Sequence, residues 1–157
     1  MTKNITTKTQ YAVAAMLELA KRDEPTSISM IAEKQGINHD YMSIILSELK
    51  RKNLIASSRG PKGGYKITRA IDSISVSEIM EAVGEKIKVT RCDDDEDGCT
   101  GKKEKCSAHK MWKSLENNIE NHLSSITLKD ILRSDDPIGS IARCVDFSIR
   151  TLDDDEG

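Results

Sequence analysis

Aromatic residues are scarce in this sequence: Phe, Trp and Tyr together make up 3% of its 157 residues, against 32% for Asp, Glu, Lys and Arg. The shortage excludes a core built on rings. The interior must be aliphatic and thin, and a dimer interface becomes a natural place to bury further surface. Long apolar runs are missing as well. The run from Tyr11 to Ala20 is broken by Glu18 and is too short to span a bilayer, and the polar start MTKNITTKTQ carries no signal-peptide pattern. No membrane is therefore expected as a partner, and the chain is expected to be cytoplasmic, where thiols stay reduced. There is also no C-x-x-C pair, and no nucleophile beside a base other than Cys106 with His109. That leaves a thiol enzyme little to work with, so the chain is not read as an enzyme. The length fits one domain, or one small domain with an appendage.

What is present centres on CDDDEDGCTGKKEKCSAH, residues 92–109, in which Cys92, Cys99, Cys106 and His109 are spaced C-x6-C-x6-C-x2-H. Between them stand Asp, Glu, Gly and Lys, with no side chain able to build a core. A segment this polar is ordered by a ligand or a covalent link. Thiolates select zinc, copper(I) or iron–sulfur clusters, and imidazole suits zinc and iron. Zinc modules pair their ligands at C-x2-4-C, whereas gaps of six suit a body with two iron atoms. Iron–sulfur sites are mostly all-Cys, although His can replace Cys on one iron. A zinc site, a disulfide pair and a loop with incidental cysteines remain open alternatives. Charge is unevenly placed: residues 1–91 carry 15 Lys or Arg against 10 Asp or Glu, and residues 92–157 carry 9 against 16. The basic half is the part suited to a polyanion.

In chain order, Tyr11, Ala12, Ala15, Met16, Leu19 and Ala20 form an apolar stripe at helical period, predicting a helix from about Thr7 to Arg22. Ser29 is a candidate cap for a second helix, Met30 to Gln35, followed by Gly36 at a sharp turn. Asn38 then caps a third helix running to about Lys52. Helix pairs joined through Gly are common and most never touch DNA. The third helix nevertheless divides in an informative way. Met42, Ile45, Leu46 and Leu49 face a core, while Asp40, Tyr41, Ser43, Ile44, Ser47, Lys50 and Arg51 form the other face. In a major groove such a face meets base edges and phosphates, and Ile44 suits a thymine methyl. Two short strands follow, Leu54 to Ser57 and Tyr65 to Thr68, around a tip containing Arg59, Gly60, Pro61, Lys62, Gly63 and Gly64. Three glycines let that backbone approach another surface, and Arg59 suits a narrow minor groove. An ordinary basic hairpin has the same composition. Coming directly after the third helix, it predicts a mainly α fold with a small β-hairpin wing, a winged helix–turn–helix DNA-binding domain.

Tyr11-Ala12-Val13, Ile31-Ala32-Glu33 through Gly36-Ile37, Tyr41-Met42, and Arg59-Gly60-Pro61-Lys62-Gly63-Gly64-Tyr65 resemble the IscR family of bacterial winged-helix transcription regulators. Cys92, Cys99, Cys106 and His109, with Trp112 and Ile126-Thr127-Leu128 after them, resemble its cluster-binding loop and following helix. The resemblance spans about residues 6–132. It implies a homodimer that binds a 2Fe-2S cluster through three Cys and one His and regulates, mainly as a repressor, genes for iron–sulfur cluster assembly. It further implies that Cys92, Cys99, Cys106 and His109 are the ligands. Asn38, Asp40, Tyr41, Ser43 and Ile44 fall where the family reads the major groove, and Arg59 to Gly64 where it reaches the minor groove. The chain departs from the family in three respects. Ser43-Ile44 stands where relatives often carry Glu-Gln; in the ligand loop the second gap is one residue longer than usual and Asp93, Asp94, Asp95, Glu96 and Asp97 crowd the first; and the tail beyond residue 133 has no counterpart in the family.

Ser75-Val76-Ser77-Glu78 reads as a capping box opening a short helix through Ile79, Met80 and Val83. From about Ala108 to Ser124 the apolar positions Trp112, Leu115, Ile119, Leu123 and Ile126, with His122 beside them, make a seam on a long helix, opposite Lys113, Glu116, Asn117 and Glu120. With no evident cover in its own chain, the seam predicts a dimerisation helix. The resulting organisation is a DNA-binding domain over 1–90, a cluster loop over 91–109, a dimerisation helix region over 108–133 and a disordered acidic tail over 134–157. Cys144 in that tail reads as a free thiol. A nitric-oxide-, redox- or zinc-responsive regulator of the same fold, and an iron–sulfur carrier that binds no DNA, are the competing readings.

Overall fold

The protein is described from a computed structural model over residues 5–89 and 107–133. Helix α1, Thr7–Ala20, opens on Thr6, whose hydroxyl accepts the Thr9 N–H, and it buries Ala12, Ala15, Met16 and Leu19. Helix α2, Ile28–Gln35, begins two residues before the expected start. Its cap is Ser27, not Ser29, and the Ser27 hydroxyl accepts the Met30 N–H at 3.3 Å. The reason is non-local. Thr26 is paired with Tyr65 through two backbone hydrogen bonds of 2.9 and 2.8 Å, so the chain is extended at Thr26 and helix can start only after it. Gly36 closes α2 with φ 64°, a left-handed conformation open to glycine at no steric cost.

Helix α3, His39–Arg51, starts where Asn38 Oδ1 accepts the Tyr41 N–H at 2.7 Å. Met42, Ile45, Leu46 and Leu49 are completely buried, at the i, i+3, i+4, i+7 spacing of a core face. Strands β1, Ile55–Ser58, and β2, Gly64–Ile67, form an antiparallel hairpin in which Ser58 faces Gly64 and Ile55 faces Ile67. This ladder sits one residue nearer the tip than expected. Leu54 still bonds back to the Leu49 carbonyl, and Thr68 N–H, donating to the Leu54 carbonyl, closes the base.

At Gly64 the wing presses on the backbone before α2: a Cβ there would stand 2.5 Å from the Thr26 carbonyl oxygen. Gly64→Ala must push β2 off Thr26 and is expected to destabilise the fold by about 1–3 kcal/mol. Thermal unfolding measures it. An unchanged midpoint would contradict the close approach.

A 3-10 turn at Ile71–Ser73 leads to helix α4, Val76–Ala82, capped by Ser75, which accepts the Glu78 N–H at 3.2 Å. Only half of the expected capping box forms, because the Glu78 carboxylate is drawn to the Arg69 guanidinium instead. Helix α5, His109–Ser125, is followed by a return to the body. Val76 N–H donates to the Ile126 carbonyl and Leu128 N–H to the Ile74 carbonyl, forming a bridge between Ser75 and Thr127. Helix α6, Leu128–Arg133, opens with a reciprocal cap between Thr127 and Asp130 and places Leu128 in the main core. That core joins α1, α2, α3, β1 and α4 around aliphatic side chains, as the lack of rings required.

Helix α5 differs. His109 is its only buried residue, while Met111, Trp112 and Leu115 are 56%, 38% and 41% exposed. The apolar seam is thus uncovered over its first half among the described residues. The polar side expected to face solvent turns partly inward: Glu116 accepts the Val89 N–H at 3.1 Å and a Lys113 Nζ proton at 2.7 Å. Lys113, Glu116 and Glu120 line a cleft of about 480 Å³ whose other wall includes Ser77 and Met80 of α4.

Candidate nucleic-acid interface and ligand loop

The outward side of α3 and the hairpin tip are held as one surface. Lys50, in the last turn of α3, donates to the Ser57 hydroxyl of β1 at 2.6 Å. On the inner side, Lys8 Nζ lies 2.7 Å from Glu48 Oε2 and donates to the Val83 carbonyl at 3.1 Å, fastening α3 to α1 and to the end of α4. Arg59, Gly60, Pro61 and Lys62 are exposed at the tip, whereas Gly63 and Gly64 are half-buried. On α3, Asp40 is fully exposed and Ile44 is 54% exposed. Ser43 is half-buried, and its carbonyl accepts the Ser47 hydroxyl at 2.7 Å. Tyr41 stands out less than expected. Its ring meets that of Tyr11 edge-on, with centroids 6.2 Å apart, so it seats at the rim of the core. Asn38 serves as the α3 cap at the edge of the same surface.

Of the four expected ligands, Cys92, Cys99 and Cys106 lie outside the described residues, as do the acidic run 93–97, the tail 134–157 and Cys144. His109 is described. It is the first residue of α5 and is 8% exposed. Val89, the last described residue before the cysteines, is bonded to Glu116, seven positions after His109 on the same helix. Seven residues are two turns, about 10 Å of rise on one helix face. Val89 therefore lies beside α5, and His109 is the first residue of that helix. Among the described residues alone, no group of three His, Cys, Asp or Glu side chains is placed to hold a metal ion. The donor chemistry of the sequence fits an iron–sulfur cluster: three thiols would supply soft ligands and an imidazole the fourth.

The segment between α4 and Val89 is anchored at its other end too. Glu85 accepts the Thr6 N–H at 2.9 Å, the Thr6 hydroxyl at 2.7 Å and the Thr9 hydroxyl, at the start of α1. Burial pushes the Glu85 carboxyl upward, but these bonds and the nearby Lys8 ammonium outweigh it and hold the group below its ordinary value. The helix N-terminus favours the anion in the same sense. Sequence spacing held no sign of this clamp, because a lone Glu after a Gly has no periodicity to report.

No helix among the described residues is long and apolar enough to cross a membrane. Residues 5–134 match the Rrf2 family, described as an iron-dependent transcriptional regulator. The HTH-type transcriptional regulator IscR of Erwinia tasmaniensis is 38% identical over 132 residues, covering 83% of this chain and 79% of that protein. Among solved structures, T. potens IscR is similar at 29% identity and a TM-score of 0.63, covering 84% of this chain and 88% of that one. CymR, the global cysteine regulator of B. subtilis, is similar at 28% identity and a TM-score of 0.68, covering 83% and 96%. These relatives are transcription regulators, which sets aside both an enzyme and a carrier that binds no DNA. The chain belongs to the Rrf2 family and is a DNA-binding winged-helix transcription regulator similar to the IscR proteins.

Proposed function

We propose that the protein acts as a homodimeric repressor that senses iron–sulfur cluster status through a 2Fe-2S cluster and controls genes for cluster assembly. Cys92, Cys99, Cys106 and His109 would hold the cluster. The observation that carries this reading is the buried placement of His109 at the start of α5, two turns from the residue to which Val89 is bonded. When bound, the cluster supplies a redox-responsive centre whose occupancy follows iron and sulfide supply.

The chain's own residues provide the route from that loop to DNA. The segment 85–89 is bonded to α5 through Glu116 and to the start of α1 through Glu85, and α1 is tied to α3 by Lys8 and Glu48. Ordering the loop would bear on α5 and on this segment, and so on how the recognition helices of a dimer are presented. The exposed seam of Met111, Trp112 and Leu115 offers the surface on which a second copy would pair.

Two experiments test the reading. A reporter driven by a cluster-assembly promoter should rise when the gene is deleted, and a fall would contradict repression. On the DNA side, the exposed guanidinium of Arg59 is assigned to the minor groove. Arg59→Ala should weaken binding on all sequences and reduce the slope of affinity against salt by about one per subunit. An unchanged affinity and slope would remove the wing from the interface.

A further inference from the structure

We propose that Ile44 is the specificity-determining residue of the recognition helix and that it reads the C5-methyl group of a thymine in the major groove. The inference rests on the reading that α3 enters that groove. A single exposed isoleucine carries little by itself, since scattered apolar residues are normal on protein surfaces. Its neighbourhood is what decides. Several of the polar side chains around it are engaged within the protein. Asn38 Oδ1 caps the helix, the Ser47 hydroxyl bonds to the Ser43 carbonyl, and Lys50 bonds to Ser57. Tyr41 is packed on Tyr11. Ile44 and Asp40 are exposed one helical turn apart, and Ser47, Lys50 and Arg51 are exposed beyond them toward the end of the helix.

Isoleucine gains nothing from a phosphate or from a base-edge donor or acceptor. The thymine methyl is the one apolar group that the unmodified base pairs present in the major groove. A β-branched residue is also a mediocre choice for an exposed helix position, so Ile44 is better accounted for by a contact than by helix stability. Asp40, an acceptor only, would reject a neighbouring guanine edge and tolerate a cytosine amino group. The selected half-site should therefore contain at least one thymine whose methyl group matters.

The test starts by selecting duplexes from a randomised pool with the full-length, anaerobically prepared protein. Affinity is then measured for the selected duplex and for copies in which each thymine is replaced by deoxyuridine, which removes only the methyl group. One position per half-site should lose about fourfold in affinity, the effect of one buried methyl. Ile44→Ala should bind the thymine and deoxyuridine duplexes alike. The proposal is overturned if no selected thymine responds to loss of its methyl, or if Ile44→Ala keeps the difference. Failure to enrich any duplex would remove the placement of α3 in DNA and the proposal with it. Enrichment without a methyl effect would remove this proposal alone.

Discussion

Replacing Cys92, Cys99 or Cys106 singly by alanine is expected to yield an anaerobically purified protein without visible absorbance that is still folded and dimeric. Removing one of four donors would leave an iron atom one protein ligand short, and the loss should be close to complete, because even partners one shell away from a metal are worth about 10–100-fold in affinity. The fold should survive, since the core consists of Met16, Ile31, Ile45, Leu46, Leu49, Ile74, Ile79 and their neighbours, and none of these belongs to the loop. His109→Ala is a less clean probe. That residue is 8% exposed at the first turn of α5, so its removal mixes loss of a ligand with loss of packing. Absorbance, iron and sulfide content, and circular dichroism read the outcome. A cysteine variant that keeps the chromophore contradicts the ligand assignment.

Leu115→Glu is expected to convert a dimer into a folded monomer and to lower operator affinity by about 10²–10⁴-fold. The magnitude follows from losing simultaneous engagement of two half-sites, not from any change at the DNA surface. Within one copy Leu115 is 41% exposed, so a carboxylate there costs the monomer little. In a two-fold interface the same substitution places two unpaired charges against an apolar seam, because each copy contributes the same patch. Light scattering gives the mass, and a gel shift gives the affinity. A variant that stays dimeric and binds DNA as before would show that α5 is not the interface.

The parts of this molecule that were legible in the sequence are those governed by local rules. The division of α3 needed only the 3.6-residue period, and the structure buries Met42, Ile45, Leu46 and Leu49 while leaving Ile44 out. Asn38 was readable as a cap because its side chain acts on a backbone group three residues away. Where a choice depended on a distant partner, the sequence was ambiguous. Ser27 and Ser29 are equally good caps by composition, and the backbone pairing of Thr26 with Tyr65 selects the first. Glu78 has the spacing of a capping box, yet Arg69 takes its carboxylate. Glu116 sits on the polar side of α5, but the Val89 amide turns it toward the body. The clamp of Glu85 on Thr6 and Thr9 spans more than seventy residues and left no pattern to find. As for the candidate site, the sequence assigned the DNA surface to a helix and a hairpin that the structure forms as α3 and β1–β2, and it linked His109 with the cysteines only through their spacing.

The most direct test of the account is the affinity of one anaerobic preparation for a selected duplex before and after the metal is stripped by a chelator. The account expects coloured protein with iron and sulfide in equal amounts, a retarded duplex, and an affinity that changes on stripping and returns on reconstitution. Colourless, metal-free protein, or an affinity that stays the same with and without the metal, would contradict it.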